Sequence, residues 1–88
     1  DLMRFYIDHL MIYNPEKALT LLIKMEQKAV ELKMDSIKAY YRYNIGKIYQ
    51  NNGLYNKAVE SYLMSINFFQ QVGNKISYGY ALVDLGNI

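Results

Sequence analysis

The sequence repeats itself at an interval of forty residues, and no other feature constrains its fold as strongly. Three segments return at that interval: Ile45-Gly46 as Leu85-Gly86, Tyr40 as Tyr80, and Lys17-Ala18-Leu19 as Lys57-Ala58-Val59 (86 − 46 = 80 − 40 = 58 − 18 = 40). Self-similarity at a fixed period is typical of proteins built from stacked units, each of which buries its apolar face against the next. We therefore expect a repeat array, and such arrays bind other molecules more often than they catalyse reactions.

The composition is that of one small folded domain. Hydrophobic residues make up 52% of the 88 residues, which is enough for a packed core and argues against disorder. The net charge is +2 and the charges are interspersed, so the basic stripe that a nucleic-acid partner usually needs is missing. We treat 1–88 as one domain and expect it to be a segment of a longer array, because both ends interrupt the repeat.

Helix start and stop signals divide the chain into five segments, and strand patterns are missing. Asn14 followed by Pro15 predicts a helix start, and Gly53 and Gly73 predict helix ends because glycine readily adopts the left-handed conformation there. Asp35 or Ser36 is expected to cap the third helix, and Asn74 the fifth. The predicted helices are Leu2–Tyr13, Pro15–Lys33, Ser36–Asn52, Leu54–Val72 and Lys75–Ile88.

Two of these helices carry matching apolar stripes at helical spacing. In the fourth helix the stripe consists of Ala58, Val59, Tyr62, Leu63, Ile66, Phe69 and Val72. In the second helix it consists of Ala18, Leu19, Leu22, Ile23, Glu26, Ala29 and Leu32. Glu26 is the one polar member, and it stands forty residues before Ile66.

The full copy of the repeat carries a recognisable motif. Arg42-x-x-Ile45-Gly46-x-x-Tyr49, followed by Ala58-x-x-x-Tyr62, resembles the tetratricopeptide repeat, whose pattern is Trp-x-x-Leu-Gly-x-x-Tyr and then Ala-x-x-x-Phe. Arg42 stands in place of the family tryptophan, and the closing proline of the family is missing. The resemblance implies an all-α solenoid of antiparallel helix pairs in a right-handed superhelix. It divides the chain into a half-repeat at about 1–35, poorly matched at its start, a full repeat at about 36–74 and a half-repeat at about 75–88.

The tetratricopeptide resemblance also gives a reason for the glycines inside helices. Glycine in a helix costs about 1 kcal/mol relative to alanine, so Gly46 and Gly86 are expected to mark close approaches of neighbouring helices. Ala58 would face this contact, and Tyr49 and Tyr62 would fill the space around it. The family repeat is 34 residues long, and the lengthened unit of this chain resembles arrays in bacterial sensor kinases and transcriptional regulators.

A binding groove follows from the same resemblance, because the first helix of each family pair lines the concave side. Ile45, Ile48 and Tyr49 are then expected in the core. The groove residues implied are Tyr40, Tyr43, Asn44, Lys47, Gln50, Asn51, Tyr80, Val83, Asp84 and Asn87. Amides, a lysine and tyrosines can bind an extended peptide. The alternatives for these residues are a solvated face and a surface covered by a neighbouring repeat.

The expected function is a non-enzymatic protein- or peptide-binding module of a larger signalling protein. His9 is the only histidine and no catalytic, cofactor or metal constellation is evident, so we expect none of these. The alternative is a self-association scaffold that uses the last helix, where Ile76, Tyr80, Val83 and Ile88 would lack cover. No apolar run approaches the ~20 residues of a membrane span, so we expect no membrane contact. The cytoplasm is the expected compartment, and a periplasmic sensor domain is the alternative.

Overall fold

The protein is all-helical over the part of the chain that the structure describes. The computed structural model covers residues 2–88 apart from the side chain of Met3, so residue 1 of the predicted domain lies outside the described residues. The helices are α1 (Leu2–Tyr13), α2 (Pro15–Glu31), α3 (Asp35–Asn51), α4 (Tyr55–Val72) and α5 (Lys75–Gly86). These confirm the five predicted helices, with ends that differ by no more than two residues.

Two of the predicted caps hold helix starts in place. The side-chain oxygen of Asn14 accepts a hydrogen bond from the backbone N–H of Lys17 at 3.2 Å, at the start of α2. Asn74 does the same for α5 by accepting from the N–H of Ser77 at 3.1 Å. Each cap satisfies one of the N–H groups that a helix start leaves without a partner.

The three connections from α2 to α5 share one turn geometry. Lys33, Gly53 and Gly73 have φ angles of +56°, +76° and +75°, and they follow one another at intervals of twenty residues (53 − 33 = 73 − 53 = 20). In each case the next residue donates its N–H to a carbonyl five residues back, as Met34 does to Ala29 at 2.9 Å. This hydrogen bond, together with the left-handed residue, is the Schellman motif of helix C-termini. The chain therefore turns back at half the repeat length each time.

The expected cap of α3 by Asp35 or Ser36 is wrong. Asp35 is already the first helical residue, and Met34 precedes it without a side-chain cap. The reason is that the left-handed Lys33 completes the turn earlier than the sequence indicated. A lysine at such a position gives none of the conformational signal that glycine gives.

The helices pack mainly against their neighbours in the chain, with α3 between α2 and α4 and with α5 against α4. One buried cluster joins the first three helices through Ile7, Leu10, Ala18, Leu22, Ile45 and Ile48. A second cluster joins the last three through Ala39, Phe69 and Ala81. Ile45 and Ile48 are core residues as predicted, whereas Tyr49 is half-buried beside the first cluster.

The close helix contact predicted at Gly46 is confirmed, with one change of partner. A Cβ atom at Gly46 would lie 2.8 Å from the ring of Tyr62 and 3.3 Å from the Cβ of Ser61, so α3 meets α4 where only glycine fits. Ser61 and Ser65 are buried on this side of α4, although the predicted stripe omitted them. Leu63, which the stripe included, is 52% exposed. Small side chains permit the close approach, and the larger leucine points away from it.

Gly86 does not repeat this contact. A Cβ atom added there meets nothing within 4 Å, so the close approach expected at Gly86 is absent from the described residues.

Candidate binding surface

Two of the predicted groove residues meet directly and bring α3 and α5 together. The Tyr43 hydroxyl of α3 donates a hydrogen bond to the Asp84 carboxylate of α5. The bond is stronger than one between neutral groups, because the carboxylate acceptor carries a negative charge. We call the set around this bond the α3–α5 surface. Its members are Tyr40, Tyr43, Lys47, Gln50, Asn51, Tyr80, Asp84 and Asn87.

The Tyr43 ring anchors this surface to the core. Its centroid lies 5.8 Å from that of Tyr62 and 6.4 Å from that of Phe69, both in α4. On another side the ammonium nitrogen of Lys47 lies 5.1 Å from the centroid of the Tyr43 ring, within the range of a cation–π interaction. Packing from α4 thus fixes the ring that holds Asp84 and Lys47.

Asn44 was expected on the open surface, and this expectation is wrong. It is only 5% exposed, and its amide nitrogen has no hydrogen-bond partner among the described residues. It shares a stripe of α3 with Tyr40 and Lys47, four residues after the first and three before the second. A buried donor without a partner lowers stability, and because this nitrogen is buried it is not open to a ligand.

Gln50 has a structural partner rather than a free side chain. The Tyr62 hydroxyl donates to the side-chain oxygen of Gln50 at 2.6 Å. This bond joins α3 to α4 and leaves the Gln50 amide nitrogen for other contacts. Gln50 therefore supports the surface from its edge.

The first helix adds a residue that sequence reasoning missed. The guanidinium carbon of Arg4 lies 5.1 Å from the centroid of the Tyr40 ring, which joins α1 to α3. The motif gave no signal for Arg4, because Leu2–Tyr13 matches the repeat poorly. Two cations, Arg4 and Lys47, therefore rest on tyrosine rings of α3, while Asp84 is held by Tyr43.

The remaining predicted residues are open to solvent. Asn51 and Asn87 are exposed, and Tyr80 is 64% exposed. Val83 of α5 is also exposed, at 61%. The surface thus combines an anchored centre around Tyr43 with free amide and aromatic groups at its margins.

Burial also changes the acidity of the two central tyrosines. It raises the pKa of Tyr43 well above the ordinary value, and the hydrogen bond to Asp84 raises it further. Burial, together with the negative charge of Asp84, raises the pKa of Tyr62 to about 12. Both hydroxyls are therefore neutral donors near neutral pH and are not set up as nucleophiles.

Several other features bear on the kinds of site that the chain can hold. His9 is exposed, and its ring centroid lies 4.6 Å from that of Tyr13. Within residues 2–88, no three His, Cys, Asp or Glu side chains come together as metal ligands would. None of the described helices combines the length and apolar character needed to cross a membrane. Comparisons with protein-family models, with curated proteins and with solved structures gave no match.

Proposed function

We propose that this chain is a non-enzymatic module that binds a protein or peptide through the α3–α5 surface. The observation that carries the proposal is the hydrogen bond from Tyr43 to Asp84. It brings aromatic, amide and charged groups of two sequence-distant helices onto one face. Such a face offers a partner both apolar contact and directional hydrogen bonds.

The helix packing supports a tetratricopeptide-like arrangement for this module. Side chains join the odd-numbered helices, through Arg4 and Tyr40 and through Tyr43 and Asp84. The ring of Tyr62 packs on Gly46, which is the contact that the motif implies. A superhelical array of this type would place the α3–α5 surface on its concave side.

The most suitable ligand is an extended peptide segment that presents hydrogen-bond acceptors. Lys47 and Arg4 supply positive charge to such acceptors. The exposed ring of Tyr80 supplies apolar area with little rotamer entropy to lose on binding. Asp84, already held by Tyr43, sets the spacing between the two helices.

A larger signalling protein is the context we propose for the module. The lengthened repeat resembles arrays of bacterial sensor kinases and regulators, and this resemblance supports the proposal by analogy alone. We place the module in the cytoplasm on the same ground.

Selection from a random peptide library on the immobilised chain tests the proposal. We expect Lys47→Ala and Tyr80→Ala each to raise the dissociation constant of the selected peptides about tenfold, the loss expected of a contact residue at a binding surface. The matched controls are Lys24→Ala and Tyr55→Ala, which remove exposed side chains of the same type from α2 and α4.

The controls decide between the α3–α5 surface and any other part of the molecule. Equal affinities for the wild type and both surface variants would contradict the proposal. A larger loss of peptide affinity in Lys24→Ala or Tyr55→Ala would instead place the binding site on α2 or α4.

A further inference from the structure

The two junctions between successive helix pairs differ in their chemistry. Where α2 meets α3, Arg42 and Glu26 form a largely buried ion pair, and we call this contact the charged junction. Where α4 meets α5, the residues at the corresponding positions are Ile66 and Leu82 (66 − 26 = 82 − 42 = 40). Ile66 packs against the second buried cluster, which joins α4 to α5, and we call this contact the apolar junction.

In other respects the helices that meet at the two junctions are alike. The buried apolar positions of α2 recur in α4 forty residues later, as Ala18 and Ala58, Leu22 and Tyr62, and Ala29 and Phe69. The connections between the helices also share one turn geometry. Hydrophobic attraction has no direction of its own, and misassembly of similar units is a common failure of repeat proteins. A chain of this kind therefore needs a feature that distinguishes one junction from the other.

We propose that the ion pair between Glu26 and Arg42 determines which helices become neighbours, because it admits α2 to its place on α3 and excludes α4 from that place. If α4 of the same or another copy packed there, the forty-residue alignment would set Ile66 against Arg42. If α2 packed on α5, it would set Glu26 against Leu82. Each of these misassembled states buries one charge without a counter-charge, which is strongly unfavourable.

The geometry of the pair suits this role. Nε and a terminal nitrogen of Arg42 donate to different carboxylate oxygens of Glu26, so the contact requires a carboxylate at one position and in one orientation. The other ion pairs among the described residues each join two positions of a single helix, three residues apart. Such pairs cannot distinguish one neighbouring helix from another. Within the described residues, selection by charge between helices therefore rests on Glu26 and Arg42.

Refolding from urea at protein concentrations between about 1 μM and 100 μM tests the proposal, since misassembly of repeat units appears in that range. Size-exclusion chromatography with light scattering then measures the ratio of oligomer to monomer. Glu26→Ile with Arg42→Leu makes both junctions apolar. We expect this ratio to be at least about a hundredfold higher than in the wild type, because no buried charge opposes misassembly any longer.

A second double variant separates neighbour selection from a general effect of hydrophobicity. Ile66→Glu with Leu82→Arg makes both junctions charged, so that α2 and α4 find a counter-charge at either one. We expect the ratio of oligomer to monomer to rise again, although the chain has become more polar. If hydrophobicity alone caused the oligomers, the ratio would fall in this variant.

The matched control reverses the charged junction without making it resemble the other. Glu26→Arg with Arg42→Glu keeps one charged and one apolar junction, and it should refold with the same ratio of oligomer to monomer as the wild type. An unchanged ratio in the variant with two apolar junctions would overturn the proposal. So would a ratio in the charge-reversed control as high as in that variant, or a ratio below that of the wild type when both junctions are charged.

Discussion

Arg42 of α3 and Glu26 of α2 form a two-point ion pair at the helix interface. Nε of Arg42 donates to one carboxylate oxygen at 2.5 Å, and a terminal nitrogen donates to the other oxygen. The side chains are only 19% and 11% exposed. Both residues depart from an apolar pattern, since Arg42 stands where the tetratricopeptide motif that the chain resembles has tryptophan, and Glu26 stands forty residues before Ile66. Each of these buried charges is neutralised by the other.

The first prediction is that either partner alone is harmful. Arg42→Leu leaves the Glu26 carboxylate buried without a counter-charge. Glu26→Ile likewise leaves the Arg42 guanidinium buried without a counter-charge. We expect each to lower the free energy of unfolding by about 3 kcal/mol, as for other buried pairs that lose one member. Urea unfolding followed by circular dichroism measures the change.

The double variant is the control, because it takes the residues that the chain itself uses forty positions later, Ile66 and Leu82. An apolar pair of this kind is often as stable as a buried ion pair. We expect Glu26→Ile with Arg42→Leu to unfold within about 1 kcal/mol of the wild type. Additive losses in the double variant would show that the two side chains act independently.

Helix positions were predictable because local residues determine them. Asn14, Asn74, Gly53 and Gly73 all act within a few residues of their own backbone. The left-handed conformation of Lys33 was not predicted, because lysine, unlike glycine, has no preference for it.

A contact between helices was predictable only where the residue type at one position has a single structural explanation. Gly46 inside a helix indicated a close neighbour, and Tyr62 is that neighbour. The burial of Asn44 and the pairing of Glu26 with Arg42 depend on how α2 and α3 rotate against each other. A periodic pattern defines the apolar side of each helix but not this rotation. The forty-residue alignment of Glu26 with Ile66 and of Arg42 with Leu82 was the one signal that could have linked the pair.

Gly46 is the position where the second prediction applies. Alanine there would place its Cβ 2.8 Å from the Tyr62 ring. The hydrogen bond to Gln50 holds that ring, so it cannot move cheaply. We expect Gly46→Ala to lower the free energy of unfolding by about 1–2 kcal/mol, because overpacking outweighs the gain in helix propensity. Gly79→Ala, measured in dilute solution, is the control and should raise stability instead, since the space beside Gly79 is open.

The third prediction concerns alkaline pH. The pKa values of Tyr43 and Tyr62 are raised by folding, the latter to about 12, so the folded protein keeps protons that the unfolded chain loses from about pH 10 upward. Their contribution to stability is complete below about pH 10 and is lost as pH rises beyond it. Urea unfolding at several pH values should show this decline.

Variants assign the alkaline decline to particular hydroxyls. Tyr43→Phe and Tyr62→Phe should each reduce the slope of unfolding free energy against pH by up to about 1.4 kcal/mol per pH unit. Tyr55→Phe changes an exposed tyrosine and serves as the control. An unchanged slope in both buried variants would mean that other groups govern alkaline unfolding.

The fourth prediction is that α5 is the least protected of helices α3 to α5 in a monomer. Ala81 is its only buried residue, whereas α3 buries five residues and is covered on two sides. Amide hydrogen exchange in dilute solution should therefore show faster exchange in α5, because local opening exposes little apolar surface there. Tyr43→Phe should speed this exchange further by removing the hydrogen bond to Asp84, while leaving α4 unchanged. Protection of α5 equal to that of α3 in a strict monomer would contradict this account of its stability.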